Sequence, residues 1–280
     1  MINKLKIIKK ASKIKLDKKS KDLRKLIVSS IVSEGRGHLG SALSIVEVVR
    51  VIYEKILKIN KKKLKDQNRD YFILSKGHGC LGLYAVLSDI GIISKDELLK
   101  CGKFDSQLAG HPEHKVPGIE ASTGSLGNGL PIAVGIALGL KLKKKKNKVV
   151  VLTGDGEINE GSVWESLLHI AKHKLDNLFI VIDYNKFQSY DEVKSVVSVE
   201  PLNDKIKSFN LNVFEVNGHD MVEIEKVFKK AISLKNGKST VLISHSIKGK
   251  GIKSAENNRF WHHKSNLTQE EIKSISEDLL

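Results

Sequence analysis

Short apolar runs alternate with amphipathic segments along most of this chain. Five continuous apolar runs predict buried strands, at residues 71–75, 149–153, 178–183, 213–216 and 240–244. Apolar positions recur with helical spacing in six further segments, at residues 21–31, 43–57, 81–90, 132–142, 162–173 and 222–234. Because strands that alternate with helices favour parallel pairing, we expect an α/β fold with a doubly wound, mainly parallel sheet flanked by helices.

The same pattern predicts one large domain with a short segment at each end. Residues 1–20 form a basic extension in which Lys alternates with Ile and Leu, and residues 263–280 form a helical tail. The extension has neither the apolar centre nor the cleavage site of a secretory signal. We favour a solvated helix there, with a basic amphipathic helix on a membrane surface as the alternative. No apolar run reaches the roughly 18 residues of a membrane span.

The charge balance is strongly basic, which raises nucleic-acid binding as an alternative. The formal net charge is +16, but only five of the 48 basic residues are arginine and aromatic residues make up 5%. Base readout favours arginine and single-strand binding favours aromatic platforms, so we do not expect a nucleic-acid partner. Cys80 and Cys101 have no metal-ligand spacing, and a reducing cytoplasm is the expected location.

Oxygen donors follow two of the predicted strands. Asp155 stands between Gly154 and Gly156 after the strand at 149–153, and Asn185 follows the strand at 178–183, thirty residues later. Both therefore reach the carboxyl end of the sheet, where ligands bind in such folds. With the backbone carbonyl of Phe187 they offer three of the oxygen ligands that Mg²⁺ prefers. The two glycines allow a diphosphate to approach the backbone. A simple turn with a capping Asn is the alternative.

The whole stretch from Gly154 to Asn185, GDGEINEGSVWESLLHIAKHKLDNLFIVIDYN, resembles the thiamine diphosphate motif, and transketolase in particular. Other segments resemble loops of the same family, at residues 35–41 (GRGHLGS), 74–79 (LSKGHG), 109–113 (AGHPE), 122–129 (STGSLGNG) and 256–262 (ENNRFWH). These matches occur in family order over roughly four-fifths of the chain. The chain is thus similar to the N-terminal, thiamine diphosphate-binding subunit of a split transketolase, with residues 21–262 as the binding domain.

The resemblance implies cofactors and site residues. The cofactors are thiamine diphosphate and Mg²⁺ or Ca²⁺, with Asp155, Asn185 and Phe187 as metal ligands. The cofactor-binding residues are His78, Gly124, Ser125, Leu126, Gly154, Asp155, Gly156, Glu160 and Asn185. The catalytic residues are His38, His78, His111 and His262. Transfer of a two-carbon ketol unit moves protons on and off sugar oxygens, for which imidazoles are suited near pH 7.

The resemblance also implies a partner. The family's pyrimidine-binding domain carries a Glu that activates the cofactor, and we expect that domain on a second polypeptide. A heterotetramer is the expected assembly, with a sugar phosphate as substrate. Glu160 matches a family Glu at the interface between active sites. A carboxylate in the first turn of a helix is the equally weighted alternative.

Two positions depart from the family pattern, and they leave alternatives open. Lys186 and His263 stand where the family often has Gly. The form DYNKFQS at residues 183–189 resembles transketolase-like proteins of surface-sugar biosynthesis, so a dedicated sugar pathway is one alternative. The others are a deoxyxylulose-phosphate-synthase-like enzyme and a non-catalytic cofactor-binding subunit. His169 and His173 have the spacing of a metal pair on one helix, although surface positions are expected for them.

Overall fold

A five-stranded parallel sheet forms the centre of the domain. The computed structural model describes residues 2–35, 37–189, 191–262, 264 and 266–280. The strands are β1 (Tyr71–Leu74), β2 (Val149–Gly154), β3 (Leu178–Tyr184), β4 (Asn212–Asn217) and β5 (Thr240–His245). All neighbours are parallel, in the order β1-β2-β3-β5-β4. This arrangement confirms the predicted fold class.

Helices cover both faces of this sheet. They are α1 (Ile2–Lys13), α2 (Lys18–Glu34), α3 (Leu39–Leu43), α4 (Val46–Val51), α5 (Cys80–Asp89), α6 (Lys95–Leu99), α7 (Gly129–Leu142), α8 (Gly161–His173), α9 (Val193–Val196), α10 (Leu202–Ser208), α11 (Met221–Ser233) and α12 (Gln269–Asp278). Local signals set several of their ends. Asp17 accepts the Ser20 N–H ahead of α2, and Thr268 forms a capping box with Glu271 at α12.

Alternation along the strands divides the core into two layers. On β2, Val150 and Leu152 pack with α2, α4, α5 and α11, whereas Val149 and Val151 pack with α7, α8 and α10. Both sets of side chains are fully buried, which explains why the central strands are continuous apolar runs. Strand β4 lies at the edge of the sheet, and only its last two residues are buried.

The segment predicted as one helix at residues 43–57 is interrupted. Helix α3 ends before Ser44, α4 follows, and a π-helical turn occupies Ile52–Ile56. The Ser44 hydroxyl lies 2.8 Å from the Asp183 carboxylate and 3.1 Å from the Ser41 carbonyl. A polar contact to the end of β3 thus replaces regular helix geometry, which periodicity alone does not reveal.

The basic N-terminal extension contains α1, which packs against the sheet domain. Ala11 is fully buried, and the Lys250 ammonium donates a 2.9 Å hydrogen bond to the Ser12 carbonyl. None of the helices in the described ranges combines the length and apolar character needed to span a bilayer.

Candidate active site

A cleft of about 450 Å³ opens at the carboxyl ends of β1, β2 and β3. It is lined by His38, Ser41, Lys76, His78, His111, Gly124, Leu126, Gly154, Asp155, Gly156, Glu157, Asn159, Glu160, Asn185, Phe187, Gln188, Ser189, Val197 and His262. The structure therefore brings together every site residue predicted from the sequence except Ser125, which is exposed and lies outside this lining.

Four histidines from four separate segments meet in this cleft. The ring centroid of His38 lies 5.4 Å from that of His78, 6.2 Å from His111 and 6.0 Å from His262. The rings of His78 and His262 are 6.1 Å apart. The sequence separates these residues by up to 224 positions, so their convergence is a property of the fold.

Neighbouring groups fix the positions and the charge of these rings. The His262 Nδ1 is in close contact with the Lys248 ammonium, and its Nε2 lies 3.5 Å from the Ser189 hydroxyl. The ring of His111 packs against Gly124, where a Cβ would approach it to 3.0 Å. Burial, followed by the positive charge of Lys76, lowers the pKa of His78 well below its usual range. His78 is therefore a neutral imidazole at pH 7.

Three oxygen donors face the same cleft at the ends of β2 and β3. The Asp155 carboxylate accepts N–H hydrogen bonds from Gly156 and Lys186, at 2.9 and 2.5 Å. The Asn185 amide nitrogen donates to Asp183 at 2.9 Å, and its oxygen accepts the Phe187 N–H at 3.0 Å. The Phe187 carbonyl accepts a 3.3 Å hydrogen bond from Lys248.

This donor set fits a hard divalent cation. Within the described ranges, no three His, Cys, Asp or Glu side chains are grouped to hold a metal. A site here therefore depends on one carboxylate together with amide and carbonyl oxygens, the ligands typical of Mg²⁺ and Ca²⁺. Burial and the nearby Asp183 carboxylate raise the pKa of Asp155 to about 6, so the ionised group lacks sufficient positive charge around it. A bound cation would supply that charge.

Two buried lysines that the sequence analysis did not select support the cleft: Lys76 lines it, and Lys248 contacts the lining residues Phe187 and His262. The Lys76 ammonium lies 2.5 Å from the Asp183 carboxylate, and both side chains are almost fully buried. Lys76, together with hydrogen bonds, holds the pKa of Asp183 down to about 2 despite burial. Burial and the Lys76 charge lower the pKa of Lys248 to about 7. Lys76 lies within the LSKGHG segment that resembles a family loop, whereas no motif in the sequence pointed to Lys248 as a site residue.

Glu157 is a second residue that the sequence analysis missed. Its buried carboxylate accepts hydrogen bonds from the Ser75 hydroxyl (2.5 Å), the Gly127 N–H (2.8 Å) and the Gly154 N–H (3.0 Å). It thus joins the loops that follow β1 and β2 to the loop before α7. Its place directly after Gly154-Asp155-Gly156 was the feature of the sequence that could have identified it as a site residue.

The remaining predicted residues have distinct environments. Glu160 stands at the N-cap of α8, where it is exposed and accepts no capping hydrogen bond from the described backbone. His169 and His173 stack on α8 with centroids 6.1 Å apart. His219 lies inside the core, 2.8 Å from the Glu47 carboxylate. His263, which stands where the family often has Gly, lies outside the described residues.

A larger cavity, of about 890 Å³, lies beside the edge strand β4 and contains none of the predicted site residues. Several of its polar groups pair with one another. The Tyr184 hydroxyl donates to Glu200, and His245 lies 2.8 Å from the Glu215 carboxylate. Apart from Ser125, the predicted catalytic and cofactor-binding residues therefore lie in the smaller cleft and not in this cavity.

Fold and cleft together define an α/β protein with a polar cleft at the carboxyl ends of parallel strands, where ligands bind in such folds. The family model described as "Transketolase, thiamine diphosphate binding domain" matches residues 16–279. The chain belongs to the transketolase family.

Similar proteins include chains of matching length and much longer enzymes. The chain is 43% identical to an apulose-4-phosphate transketolase subunit of Actinobacillus succinogenes, over 89% of this chain and 90% of that protein. It is 34% identical to a 6-deoxy-6-sulfo-D-fructose transketolase subunit of a Clostridium species, over 95% and 96%. It is 33% identical to human transketolase, over 90% of this chain but 41% of that protein.

Solved transketolase structures are likewise much longer than this chain. A transketolase variant from Pichia stipitis superposes with a TM-score of 0.87 at 27% identity, covering 94% of this chain and 40% of that one. A transketolase from Campylobacter jejuni superposes with a TM-score of 0.84, also at 27% identity, over 94% and 42%. The chain therefore spans about 40% of the length of these transketolase structures.

Proposed function

We propose that this chain is the diphosphate-binding subunit of a split transketolase that transfers a two-carbon ketol unit between sugar phosphates. The observation that carries the proposal is the convergence of four histidines and three oxygen donors on one cleft. A non-catalytic cofactor-binding subunit needs the oxygen donors but has no use for four clustered imidazoles. The proposed location is the cytoplasm.

The chain's own residues suit the proposed cofactors. Asp155, Asn185 and the Phe187 carbonyl would hold Mg²⁺ or Ca²⁺ in the cleft that these residues line. Gly124 and Leu126 would line the cofactor, and Gly154 and Gly156 would leave its phosphates close to the backbone. When bound, thiamine diphosphate supplies the carbanion chemistry that breaks and forms the carbon–carbon bond.

The histidines would move and hold protons on sugar oxygens. A neutral His78 accepts a hydrogen bond from a hydroxyl without placing a positive charge beside the cation site. His262 contacts the Lys248 ammonium through Nδ1, and its Nε2 would exchange a proton with a sugar hydroxyl. His38 lies at the centre of the cluster, with ring centroids 6.2 Å from His111 and 6.0 Å from His262, so these histidines are within reach of the same small substrate.

Assembly with a second subunit would complete the site. The cleft is open, and Glu160 at its rim is exposed. Adjacent helices α7 and α8 expose large apolar side chains, including Ile132 (38% exposed) and Leu168 (60%). We propose that these helices contact a partner that carries the pyrimidine-binding domain, and that two such pairs form a heterotetramer by two-fold symmetry.

The sugar specificity has two candidates. General pentose-phosphate chemistry is one. A dedicated sugar pathway is the other, and it is favoured by two of the similar proteins, whose names specify apulose 4-phosphate and 6-deoxy-6-sulfo-D-fructose. The Lys186 loop, which resembles that of surface-sugar transketolases, supports the same candidate.

Reconstitution tests the proposal. The chain is mixed with the product of a neighbouring gene for a pyrimidine-domain subunit, thiamine diphosphate, Mg²⁺, a ketose phosphate and a panel of aldoses and aldose phosphates. We expect ketol transfer only when both polypeptides and both cofactors are present. Transfer by the chain alone would refute the split-enzyme proposal, and absence of transfer with every sugar would favour the non-catalytic role.

A further inference from the structure

Lys186 adopts a backbone conformation that favours glycine. It lies between the proposed ligands Asn185 and Phe187, and its φ is +73°. A non-glycine residue in this left-handed region costs about 1 kcal/mol or more, so surrounding contacts must hold it there. The family's usual Gly would adopt this conformation freely, and the lysine therefore needs a separate explanation.

The backbone of Lys186 organises both halves of the proposed metal site. Its N–H donates a 2.5 Å hydrogen bond to the Asp155 carboxylate, and its carbonyl accepts one of 2.8 Å from the Val193 N–H. The position of this single residue therefore sets the distance between the end of β2 and the turn that presents Asn185 and Phe187.

The side chain of Lys186 ties the same turn to the end of β5. Its ammonium donates a 2.9 Å hydrogen bond to the Ser246 carbonyl and lies 5.6 Å from the centre of the Tyr184 ring. Ser246 in turn donates its hydroxyl to Asp183. The lysine thus connects the turn after β3 to the loop after β5.

Lys248 also connects these two loops, but here the lysine belongs to the loop after β5. Its ammonium donates a 3.3 Å hydrogen bond to the Phe187 carbonyl in the turn after β3. That contact uses an oxygen that a bound cation would need. The Lys186 contact uses the Ser246 carbonyl instead, and it is compatible with metal binding. We propose that Lys186 is a positioning residue that holds the Asn185–Phe187 turn in its cation-binding geometry through its ammonium. This inference rests on the proposed function.

The affinity for Mn²⁺ tests the inference without an activity assay. Mn²⁺ is titrated, at saturating thiamine diphosphate, into the complex of this chain with its pyrimidine-domain partner, and free Mn²⁺ is followed by its paramagnetic resonance signal. Lys186→Met keeps the aliphatic stem and the backbone cost but removes the donor. We expect it to weaken Mn²⁺ binding about 10-fold, the effect typical of lost partners behind metal ligands.

Two further variants separate the side-chain contact from the backbone conformation. Lys186→Gly relieves the left-handed conformation and should bind Mn²⁺ as weakly as Lys186→Met. Lys186→Arg restores a long cationic donor and should recover most of the affinity. The matched control is Lys194→Met, which removes an exposed lysine on the nearby helix α9 that forms a 2.6 Å ion pair with Glu192.

The outcomes distinguish this inference from the proposed function. Wild-type affinity in Lys186→Gly, or equal affinities in Lys186→Met and Lys194→Met, would overturn the positioning role and leave the proposed function intact. A melting temperature that falls in Lys186→Met without cofactors, in proportion to the lost affinity, would also overturn it. Failure of the wild-type complex to bind Mn²⁺ would reject both.

Discussion

Four buried charged side chains lie in or behind the wall of the cleft, two cationic and two anionic. Lys76 pairs directly with Asp183. Within the described residues Asp155 forms no ion pair with either lysine, and it is only partly compensated by the charges of Lys76 and, to a smaller extent, Lys248. Ionised Asp155 is therefore under-compensated, as its raised pKa of about 6 shows. A residue that binds a cation is expected to be destabilising until the cation arrives.

Asp155→Asn tests this trade-off. Because the folded-state pKa is raised, ionisation of Asp155 lowers stability as the pH rises through about 6. At pH 7 without cofactors, the variant should be more stable than the wild type by about 1–3 kcal/mol in urea denaturation. With Mg²⁺ and thiamine diphosphate, the wild type should gain stability and the variant should not. An equal gain in both proteins would remove Asp155 from the metal site.

The histidines predict a separation of rate from binding. His111→Ala and His262→Ala should each lower kcat by about 10²–10⁴-fold, the usual contribution of a general acid–base group, with little change in cofactor affinity. Steady-state kinetics of the reconstituted enzyme and calorimetry measure the two effects. His173→Ala on α8 is the control, and it should leave kcat unchanged. A mutant of the cluster with near-normal turnover would exclude that residue from the chemistry.

At the scale of elements, close packing of loops against strand ends shapes the cleft. A Cβ at Gly129, the first residue of α7, would lie 2.4 Å from the Ser75 hydroxyl and 2.6 Å from the Ser75 Cα after β1. Within the described structure, a Cβ at Gly139 further along α7 would meet nothing within 4 Å. One helix thus contains a sterically required glycine and an unconstrained one.

These two glycines give a matched pair. Gly129→Ala should destabilise the chain by about 1–3 kcal/mol, because the strand end or the helix must move. Gly139→Ala should stabilise it by about 0.5–1 kcal/mol, since alanine favours the helical interior. Urea denaturation of the chain measures both. A Gly129→Ala variant as stable as the wild type would show that the start of α7 can shift freely.

A buried ionic network joins α2, α4 and the connection between β4 and α11. Arg24 forms hydrogen bonds of 2.6 and 3.0 Å to Glu47, and His219 lies 2.8 Å from the same carboxylate. The His219 Nε2 accepts the Ile247 N–H at 2.9 Å, so its Nδ1 carries the proton. The network therefore anchors the loop that leads to Lys248.

Breaking one partner of this network should be costly. Arg24→Met leaves Glu47 buried without its cation and should lower the free energy of unfolding by about 3–5 kcal/mol. The double variant Arg24→Met/Glu47→Gln should be less destabilised than Arg24→Met, because no unpaired charge remains. Urea denaturation at pH 7 provides the comparison, and additive losses would contradict the role of the buried charge.

The same network predicts acid sensitivity. Burial lowers the pKa of His219, so the unfolded chain binds more protons than the folded one once the pH falls below about 6.5, the ordinary histidine value. For Glu47, burial alone would raise the pKa, but Arg24 and His219 lower it overall, which adds loss of stability at lower pH. The contribution of this network to stability should therefore fall as the pH drops from 7, so stability should depend less steeply on pH in His219→Gln than in the wild type. Identical slopes would exclude His219 as the source.

At the scale of the whole molecule, the exposed apolar faces of α7 and α8 point to assembly. Leu168 is 60% exposed on α8, the helix whose N-cap Glu160 lines the cleft, and the proposed chemistry in that cleft needs protection from water. Leu168→Glu should weaken association with the pyrimidine-domain partner by about 1–2 kcal/mol or more if the side chain is central in the interface. Sedimentation velocity measures it. Phe104→Glu, at another exposed position, is the control, and equal effects would place the interface elsewhere.

The sequence by itself determined the five strands, the family and many of the residues that line the cleft. The five predicted strands coincide with β1 to β5 within two residues, because strands buried on both faces must be continuously apolar. Asp155, Asn185 and His78 lie shortly after strand ends, whereas the loops of His38, His111 and His262 were recognisable from their resemblance to the family. Their catalytic and ligand roles, and the domain boundaries at residues 20 and 262, stay predictions.

Only the tertiary structure decided the strand order, the interruption at Ser44 and the charges beneath the site. β5 lies between β3 and β4, although β4 precedes it in sequence. Lys76 pairs with Asp183 across 107 residues, and Lys248 reaches Phe187 across 61. Periodicity reports which side chains are buried but not which of them meet. A lysine therefore looks like a solvated residue in the sequence, until the fold removes its water and supplies a carboxylate in its place.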